Sequence, residues 1–155
     1  NVINICNGTF RGCDKLVEIT LPFVGSKEDT NSGYEAVFGS VFGFKSLESE
    51  DGVKTSDNKD YTQQYSKYGY YIPSSLRSIT ITNDLTIPSY AFANCDLIET
   101  ITLPTNVQRF DSCAFQNCTS LKSIDGDKDG VLEIPSTVTS WRSDSTQWFV
   151  IVQKD

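Results

Sequence analysis

The sequence predicts a mainly β repeat solenoid, a stack of about four to five partial coils around one shared core. Three observations predict this fold: a gapless motif that recurs at a fixed period, alternation of apolar and polar residues in its second half, and a Leu-Pro pair that ends two of the copies. The chain has 155 residues, 38% of them hydrophobic. That is enough for a single domain with a packed core.

The motif places one Phe and one Cys at fixed positions in each of three stretches, residues 5–22, 87–104 and 110–124. The Cys follows the Phe by three residues, and a Leu or Ile and then an Ile follow at further steps of three. Phe92 and Phe115 are 23 residues apart, within the range of leucine-rich repeats. Because one coil cannot bury its apolar face alone, we expect two ladders of buried side chains. The ladder positions are Phe10, Phe92, Phe115, Cys13, Cys95 and Cys118.

The segments 19–21, 79–81 and 101–103 alternate apolar and polar residues, which indicates strands. We expect their Ile and Leu side chains to point inward and Thr20, Thr80 and Thr102 to point outward. The threonines then form a row of hydroxyl groups on the sheet. Two interpretations stay open: Thr is simply a good residue for an exposed strand, or this face contacts a ligand.

The stretch from Ala91 to Val107 resembles the BspA-like (Treponema pallidum-type) leucine-rich repeats, through its Ala-Phe-x-x-Cys-x-x-Ile-x-x-Ile-x-Leu-Pro-x-x-Val pattern. The resemblance covers residues 1–24 and 72–141. It implies a leucine-rich-repeat-type, right-handed coil stack. It also implies a surface or secreted protein of a host-associated bacterium, in a family with many suspected adhesins.

We divide the chain into a repeat at 1–24, an insertion at 25–71, repeats at 72–141 and a terminal strand at 142–155. All belong to a single leucine-rich-repeat domain, which we expect to be a fragment of a longer protein. The terminal strand is predicted from the apolar run Trp148 to Val152.

The insertion is rich in aromatic residues. Tyr34, Phe38, Val41 and Phe42 fall on one face of a predicted short helix, with Asn31 or Ser32 as its cap and Gly43 at its end. Residues 45–60 are polar and are predicted to form a mobile loop, and 65–71 are predicted to be extended. The aromatic rings either form a satellite core or leave some tyrosines exposed for recognition. The candidate recognition tyrosines are Tyr61, Tyr65, Tyr68 and Tyr70.

An acidic segment places Asp125, Asp127 and Asp129 at alternate positions before Gly130, which resembles a calcium-binding loop. However, Ser136 stands where a bidentate Glu is usual, and Asp-Gly is also an ordinary turn. Calcium is therefore one interpretation, and a plain acidic turn without any cofactor is the other.

The chain contains no His, which excludes a Ser/His/Asp triad, a Cys/His dyad and a Cys-His zinc site. Its net charge of −7 disfavours nucleic acid as a partner, and no apolar run is long enough for membrane insertion. Together with the repeat pattern, these observations predict a non-catalytic binding module, and the resemblance implies that it is extracellular or on the cell surface. Its ligand would be a protein or glycan such as a host matrix component, and the alternative is a structural spacer. The sequence does not indicate the oligomeric state.

Overall fold

The computed structural model describes residues 2–28, 30–46, 63–65, 68–124, 133–141 and 152–153. Its strands are short and several of them pair in parallel. In chain order they are β1 (Glu18–Leu21), β2 (Phe44–Ser46), β3 (Gln63–Tyr65), β4 (Tyr68–Tyr70), β5 (Ser78–Ile81), β6 (Thr86–Ile87), β7 (Thr100–Thr102), β8 (Arg109–Phe110), β9 (Glu133–Ile134), β10 (Ser140–Trp141) and β11 (Val152–Gln153).

The first sheet has the order β1-β5-β7 and is parallel throughout. Its register aligns Ile19 with Ile79 and Ile101, and all three side chains are buried. A further parallel bridge joins Thr100 to Ser123, so the repeat after β7 extends this first sheet. The alternation predicted for these segments is confirmed, because the aliphatic residues of each strand point into the core.

The second sheet has the order β6-β8-β10 and is also parallel. Phe110 pairs with Ile87 on one side and with Trp141 on the other. In addition, β9 pairs in parallel with β11 at Val152–Gln153. The remainder of the predicted terminal strand, including Trp148 to Ile151, lies outside the described residues.

Turns that carry the Phe residues form a third side of the stack. The amide of Phe92 donates to the carbonyl of Ala114 at 2.8 Å, and the amide of Phe38 donates to the carbonyl of Ala91 at the same distance. Phe38 therefore occupies the position that Phe92 holds relative to Phe115. Residues 36–42, which the sequence places in the insertion, form the Phe turn of the repeat that continues at β5.

The aromatic rings of these turns form one continuous series. Centroid distances along it are 6.1 Å from Phe10 to Phe42, 5.5 Å from Phe42 to Phe38, 5.6 Å from Phe38 to Phe92 and 5.6 Å from Phe92 to Phe115. The last pair is stacked, with 11° between the ring planes.

The predicted helix of the insertion is shorter than expected. The structure forms a 3-10 helix over Phe38–Phe42, preceded by Val37 without a side-chain cap. Gly43 ends it with a φ of 97°, as predicted. Neither Asn31 nor Ser32 caps the helix, because it begins only at Phe38, where that residue meets the neighbouring turn.

Left-handed residues recur two positions before and two positions after the Phe of a turn. Gly8 and Gly12 flank Phe10 in this way, and two non-glycine pairs repeat the pattern in later turns. Those pairs are Tyr90 with Asn94 and Cys113 with Asn117, all with φ between 56° and 63°. The side-chain amide of Asn117 donates to the side-chain oxygen of Asn94 at 2.8 Å. The position two residues after the Phe therefore always carries Gly or Asn in these three turns, the types that tolerate positive φ, whereas the position two residues before it also holds Tyr and Cys.

An excursion leaves the stack after Gly43 and returns at Ile72. Within it, β2, β4 and β3 form an antiparallel sheet in that order. Strands were predicted here only over 65–71, whereas the structure reverses the chain between β3 and β4. The predicted mobile loop lies mostly outside the described residues, apart from the end of β2.

A buried glutamine fastens this sheet to the repeats. Gln63 is 1% exposed, and its side-chain oxygen accepts a hydrogen bond from the amide of Gly39 at 2.8 Å. Its side-chain nitrogen donates to the carbonyls of Ala93 at 2.9 Å and Ala91 at 3.3 Å. One amide thereby joins the excursion, the 3-10 helix and the following Phe turn.

Burial of the ladder positions depends on the repeat. Phe92, Phe115, Cys95 and Cys118 are at most 3% exposed. Cys13 is exposed and Phe10 is only half-buried, so the prediction that Cys13 is buried is wrong. Within the described residues, the first repeat is covered by a neighbouring coil on the β5 side only, which leaves Cys13 open to solvent. The fold is thus mainly β, with small parallel sheets around one core. None of the described helices is long and apolar enough to cross a membrane.

Candidate ligand-binding surfaces

The tyrosines predicted for recognition do not form an exposed patch in the described residues. Tyr70 is fully buried, and its hydroxyl donates to the carbonyl of Tyr34 at 3.1 Å. It packs so tightly on Gly39 that a Cβ there would overlap its own. Tyr70 is therefore a core residue, which corrects its assignment as a ligand contact. The side chain of Tyr65 and all of Tyr61 lie outside the described residues.

Tyr68 belongs to a half-buried aromatic cluster. Its ring lies 5.0 Å from those of Tyr34 and Phe44, and the Tyr34 and Phe44 rings are 5.1 Å apart. Tyr34 remains 39% exposed. The cluster is mainly a satellite core that holds the excursion sheet, and one edge of it reaches solvent.

A groove of about 410 Å³ runs between the first Phe turn and the excursion. It is lined by Arg11, Gly12, Asp14, Phe44 and Tyr71. Both charged residues are exposed, and neither side chain forms a hydrogen bond or an ion pair within the described part of the chain. Sequence reasoning missed this groove because its walls lie some 30 to 60 residues apart and meet through tertiary contacts, such as the Phe10–Phe42 ring contact and the hydrogen bond from the amide of Phe10 to the carbonyl of Val41.

The predicted threonine row exists. Thr20 pairs with Thr80, and Thr80 pairs with Thr102, so the three side chains lie side by side on the first sheet. Thr20 is exposed and the other two are half-buried. Among the neighbouring hydroxyl groups, Thr100 is 8% exposed and Ser123 is fully buried. Ser78 is half-buried and Thr82 is exposed, so accessible hydroxyl groups also lie at both ends of β5.

A charged ladder borders this row. Glu99 lies 2.8 Å from the Lys122 ammonium and 3.7 Å from the Arg77 guanidinium. The hydrogen bond from Lys122 and its positive charge hold the pKa of Glu99 below its ordinary value. These groups are all well exposed, so the ladder contributes little to stability.

A second groove, of about 220 Å³, lies beside the second sheet. Lys27, Asp84, Leu85 and Arg109 are among its lining residues. Asp84 accepts a hydrogen bond from the amide of Val24 at 2.6 Å, and Arg109 is paired with Asp111 at 3.0 Å. Asp84 and Arg109 thus already have partners within the fold.

The buried cysteines are poor nucleophiles. Burial raises the pKa of Cys118 to about 12 and that of Cys95 well above its ordinary value. The Cys118 thiol also donates to the carbonyl of Phe92 at 3.0 Å. Cys113 is buried in the left-handed position before Phe115, and Cys6 is exposed. Burial therefore keeps the thiols of Cys95 and Cys118 protonated at neutral pH.

The calcium candidates Asp125, Asp127 and Asp129 lie outside the described residues. Among the residues that are described, no group of three or more metal-binding side chains comes together.

Repeated parallel strands, a recurring Phe turn and one continuous core define a leucine-rich repeat protein. The family model for the BspA type leucine-rich repeat region, which has six copies of the repeat, matches residues 1–80 and 63–145. The chain therefore belongs to the BspA-type leucine-rich repeat family, as its sequence motif predicts. Leucine-rich repeats of this kind generally serve as non-enzymatic binding or scaffold modules. No significant match was found among curated proteins or among solved structures.

Proposed function

We propose that this chain is a non-catalytic binding module of a surface or secreted protein, and that a protein or glycan binds in the groove beside the first Phe turn. The observation that carries the proposal is the combination of Phe44 and Tyr71 with the side chains of Arg11 and Asp14 in one open groove.

The chemistry of the groove suits polar ligands with one apolar face. Its volume of about 410 Å³ lies within the usual range for ligand pockets, roughly 300 to 1,000 Å³. Aromatic rings provide a flat apolar surface, while Arg11 and Asp14 offer a hydrogen-bond donor and an acceptor that the fold does not use. Both a sugar ring and a peptide have this mixture of surfaces.

The threonine row is a second candidate contact surface. Its support is the register of Thr20, Thr80 and Thr102 on neighbouring parallel strands, which spaces their side chains by about 4.8 Å. The row is narrow and lies beside Arg77, Glu99 and Lys122. In this proposal the threonine row adds to the binding of a ligand whose main contacts lie elsewhere on the chain.

The wider setting is part of the same proposal. Family membership supports a right-handed coil stack and an extracellular or cell-surface location, with adhesion to host matrix as one role. The number of coils, about four to five, rests on the sequence motifs. The net charge of −7 argues against nucleic acid. Calcium at Asp125 to Asp129 is tested by isothermal titration, where the absence of heat at millimolar calcium would remove it.

The experiment screens the purified chain against an array of immobilised glycans and a panel of extracellular-matrix proteins. Any ligand found is then measured against Arg11→Gln and Asp14→Asn. The matched control is Asp96→Asn, because Asp96 holds the same place after Cys95 that Asp14 holds after Cys13 and is also exposed.

We expect the two groove variants to weaken binding about tenfold or more, and the control to bind like the unchanged chain. Equal binding by all of them contradicts the groove as the site. A screen in which nothing binds contradicts the module itself and favours the structural spacer.

A further inference from the structure

The second groove lies at an unpaired edge of the second sheet. In that sheet β8 has a partner on each side, whereas within the described residues β6 pairs with β8 alone. The open side of β6 is inside the stack, because the preceding coil supplies the Phe38 turn that packs against Phe92 at 5.6 Å. The described part of that coil nevertheless places no strand beside β6. The groove lies where that strand would be.

The preceding coil turns aside at Gly25. This residue has a φ of 80°, and a Cβ on it would overlap a neighbouring backbone oxygen, so only glycine fits here. Beyond the turn the chain pairs with the first repeat. The carbonyl of Ser26 accepts from the amide of Ile5 at 2.8 Å, and an isolated antiparallel bridge joins Lys27 to Asn4. The segment that would otherwise extend the second sheet is therefore bonded away from β6.

One wall of the groove is the free edge of β6. The carbonyl of Leu85 accepts from the amide of Gln108 at 2.8 Å, so it faces β8. The carbonyl of Ile87 accepts from the amide of Asp111 at 2.9 Å and faces the same way. Because alternate residues of a strand direct their N–H and C=O groups to opposite sides, those of Thr86 point away from β8. Thr86 lines the groove, and no residue that the structure describes bonds to these two groups.

The opposite wall is the segment around Lys27. The carbonyl of Ser26 and the amide of Glu28 face the first repeat, since they are bonded to Ile5 and Ile3. The N–H and C=O groups of Lys27 therefore point the other way, on the side of the groove that this residue lines. In the described part of the chain neither group has a partner. The groove thus separates two open strand edges, and an extended backbone can bond to both.

The side chains of the groove define the chemistry of such a segment. The lining has two cations, Lys27 and Arg109, and one anion, Asp84, in a chain whose net charge is −7. Arg109 is already bound to Asp111 at 3.0 Å, which leaves Lys27 to attract an acidic side chain. Leu85 also lines the groove and is 47% exposed, so it offers an apolar contact.

The size of the groove favours a strand over a small molecule. Its volume of about 220 Å³ is below the usual range for small-molecule pockets, roughly 300 to 1,000 Å³. A ligand that fits must therefore enter it only in part. An extended segment does so, because its backbone lies between the two edges while alternate side chains point out of the groove.

We propose that the second groove is a strand-addition site, in which an extended segment of a partner protein pairs with the backbone of Thr86 on one side and of Lys27 on the other. An acidic residue of the segment binds the Lys27 ammonium, and an apolar residue packs on Leu85. The site is separate from the groove beside the first Phe turn and does not depend on a ligand there.

The test selects short peptides from a phage-displayed random library on the purified chain. Each selected peptide is synthesised, and its dissociation constant is measured for the unchanged chain and for Lys27→Glu. The matched control is Lys15→Glu, the same change at an exposed lysine that does not line the groove. A second series of the same peptides carries an N-methyl group at one backbone amide at a time. This group removes one donor and changes no side chain.

We expect the selected peptides to combine acidic and apolar residues, and their dissociation constants to rise about tenfold or more for Lys27→Glu, with Lys15→Glu unchanged. N-methylation at a central amide should weaken binding as much, whereas N-methylation at either end should not. Amide exchange at Thr86 and Lys27 should slow when the peptide binds. Exchange at Asp111, whose amide is already bonded to Ile87, should stay the same.

Three results would overturn the proposal. The first is a library that yields no binder. The second is a set of peptides that bind Lys27→Glu as tightly as the unchanged chain, because these peptides then occupy another surface. The third is unaltered amide exchange at Thr86 and Lys27 in the peptide-bound chain.

Discussion

Phe38 lies 5.6 Å from Phe92, the same ring separation that joins Phe92 to Phe115. The two contacts share their backbone pattern as well, since each earlier amide donates to the carbonyl of the residue before the next Phe at 2.8 Å. A segment without the complete sequence motif thus occupies a regular position in the repeat stack. The excursion that follows it leaves from Gly43 and does not interrupt the core.

The first prediction concerns the glutamine that holds the excursion. Replacing Gln63 with Glu keeps an acceptor for the amide of Gly39 but removes both donors to Ala91 and Ala93, and it places a charge at a buried position. We expect the free energy of unfolding, measured by urea denaturation, to fall by about 2 kcal/mol or more. The control is Gln108→Glu, the same chemical change at an exposed residue, which should alter stability by less than about 0.5 kcal/mol. Equal effects from both variants would contradict the role of Gln63.

The second prediction separates backbone from side chain at Asn117. This residue is exposed, has a φ of 57° and donates its side-chain amide to Asn94. Asn117→Ala should destabilise the fold by about 1 kcal/mol, because alanine disfavours left-handed backbone. Asn117→Gly should be close to neutral, although it also loses the hydrogen bond, because glycine adopts positive φ without cost. The stability of both variants is measured by thermal unfolding. If Asn117→Gly destabilises the fold as much as Asn117→Ala, the contribution of Asn117 comes from its side-chain hydrogen bond to Asn94 rather than from its tolerance of left-handed backbone.

The third prediction concerns the five thiols. In native buffer at neutral pH, a maleimide should label Cys6 and Cys13 rapidly and Cys95, Cys113 and Cys118 slowly, because only the first two are exposed. Mass spectrometry of proteolytic fragments assigns each site. Rapid labelling of Cys118 in the folded chain would contradict its place in the core.

The buried thiols also predict an alkaline limit to stability. The pKa of Cys118 is raised in the folded state from 9.0 to about 12. Its contribution to folding is therefore fully present below pH 9 and is lost as the pH rises from there toward 12, because the unfolded chain ionises first. Cys118→Ala should reduce the slope of the unfolding free energy against pH in that window, and a slope that stays unchanged would contradict this contribution.

The sequence predicted much of the fold and less of the candidate site. Ile19, Ile79 and Ile101 could be aligned because strand alternation is local and the motif repeats around them. The turn at residues 36–42 escaped detection because Val41 stands in place of the Cys, and the Leu of that repeat follows only at Leu76. The apolar pair Val37-Phe38 was the one available signal. Tyr70 was misassigned because its burial depends on Gly39, a distant residue whose missing side chain makes room for it.

Amide hydrogen exchange at Phe38 tests the central structural claim most directly. If residues 36–42 are a regular turn of the stack, the Phe38 amide is protected by its bond to Ala91 and should exchange at a rate within about tenfold of the Phe92 amide. Exchange at Phe38 as fast as in an unfolded chain, with Phe92 still protected, would show that this segment lies outside the repeat core and would contradict the account.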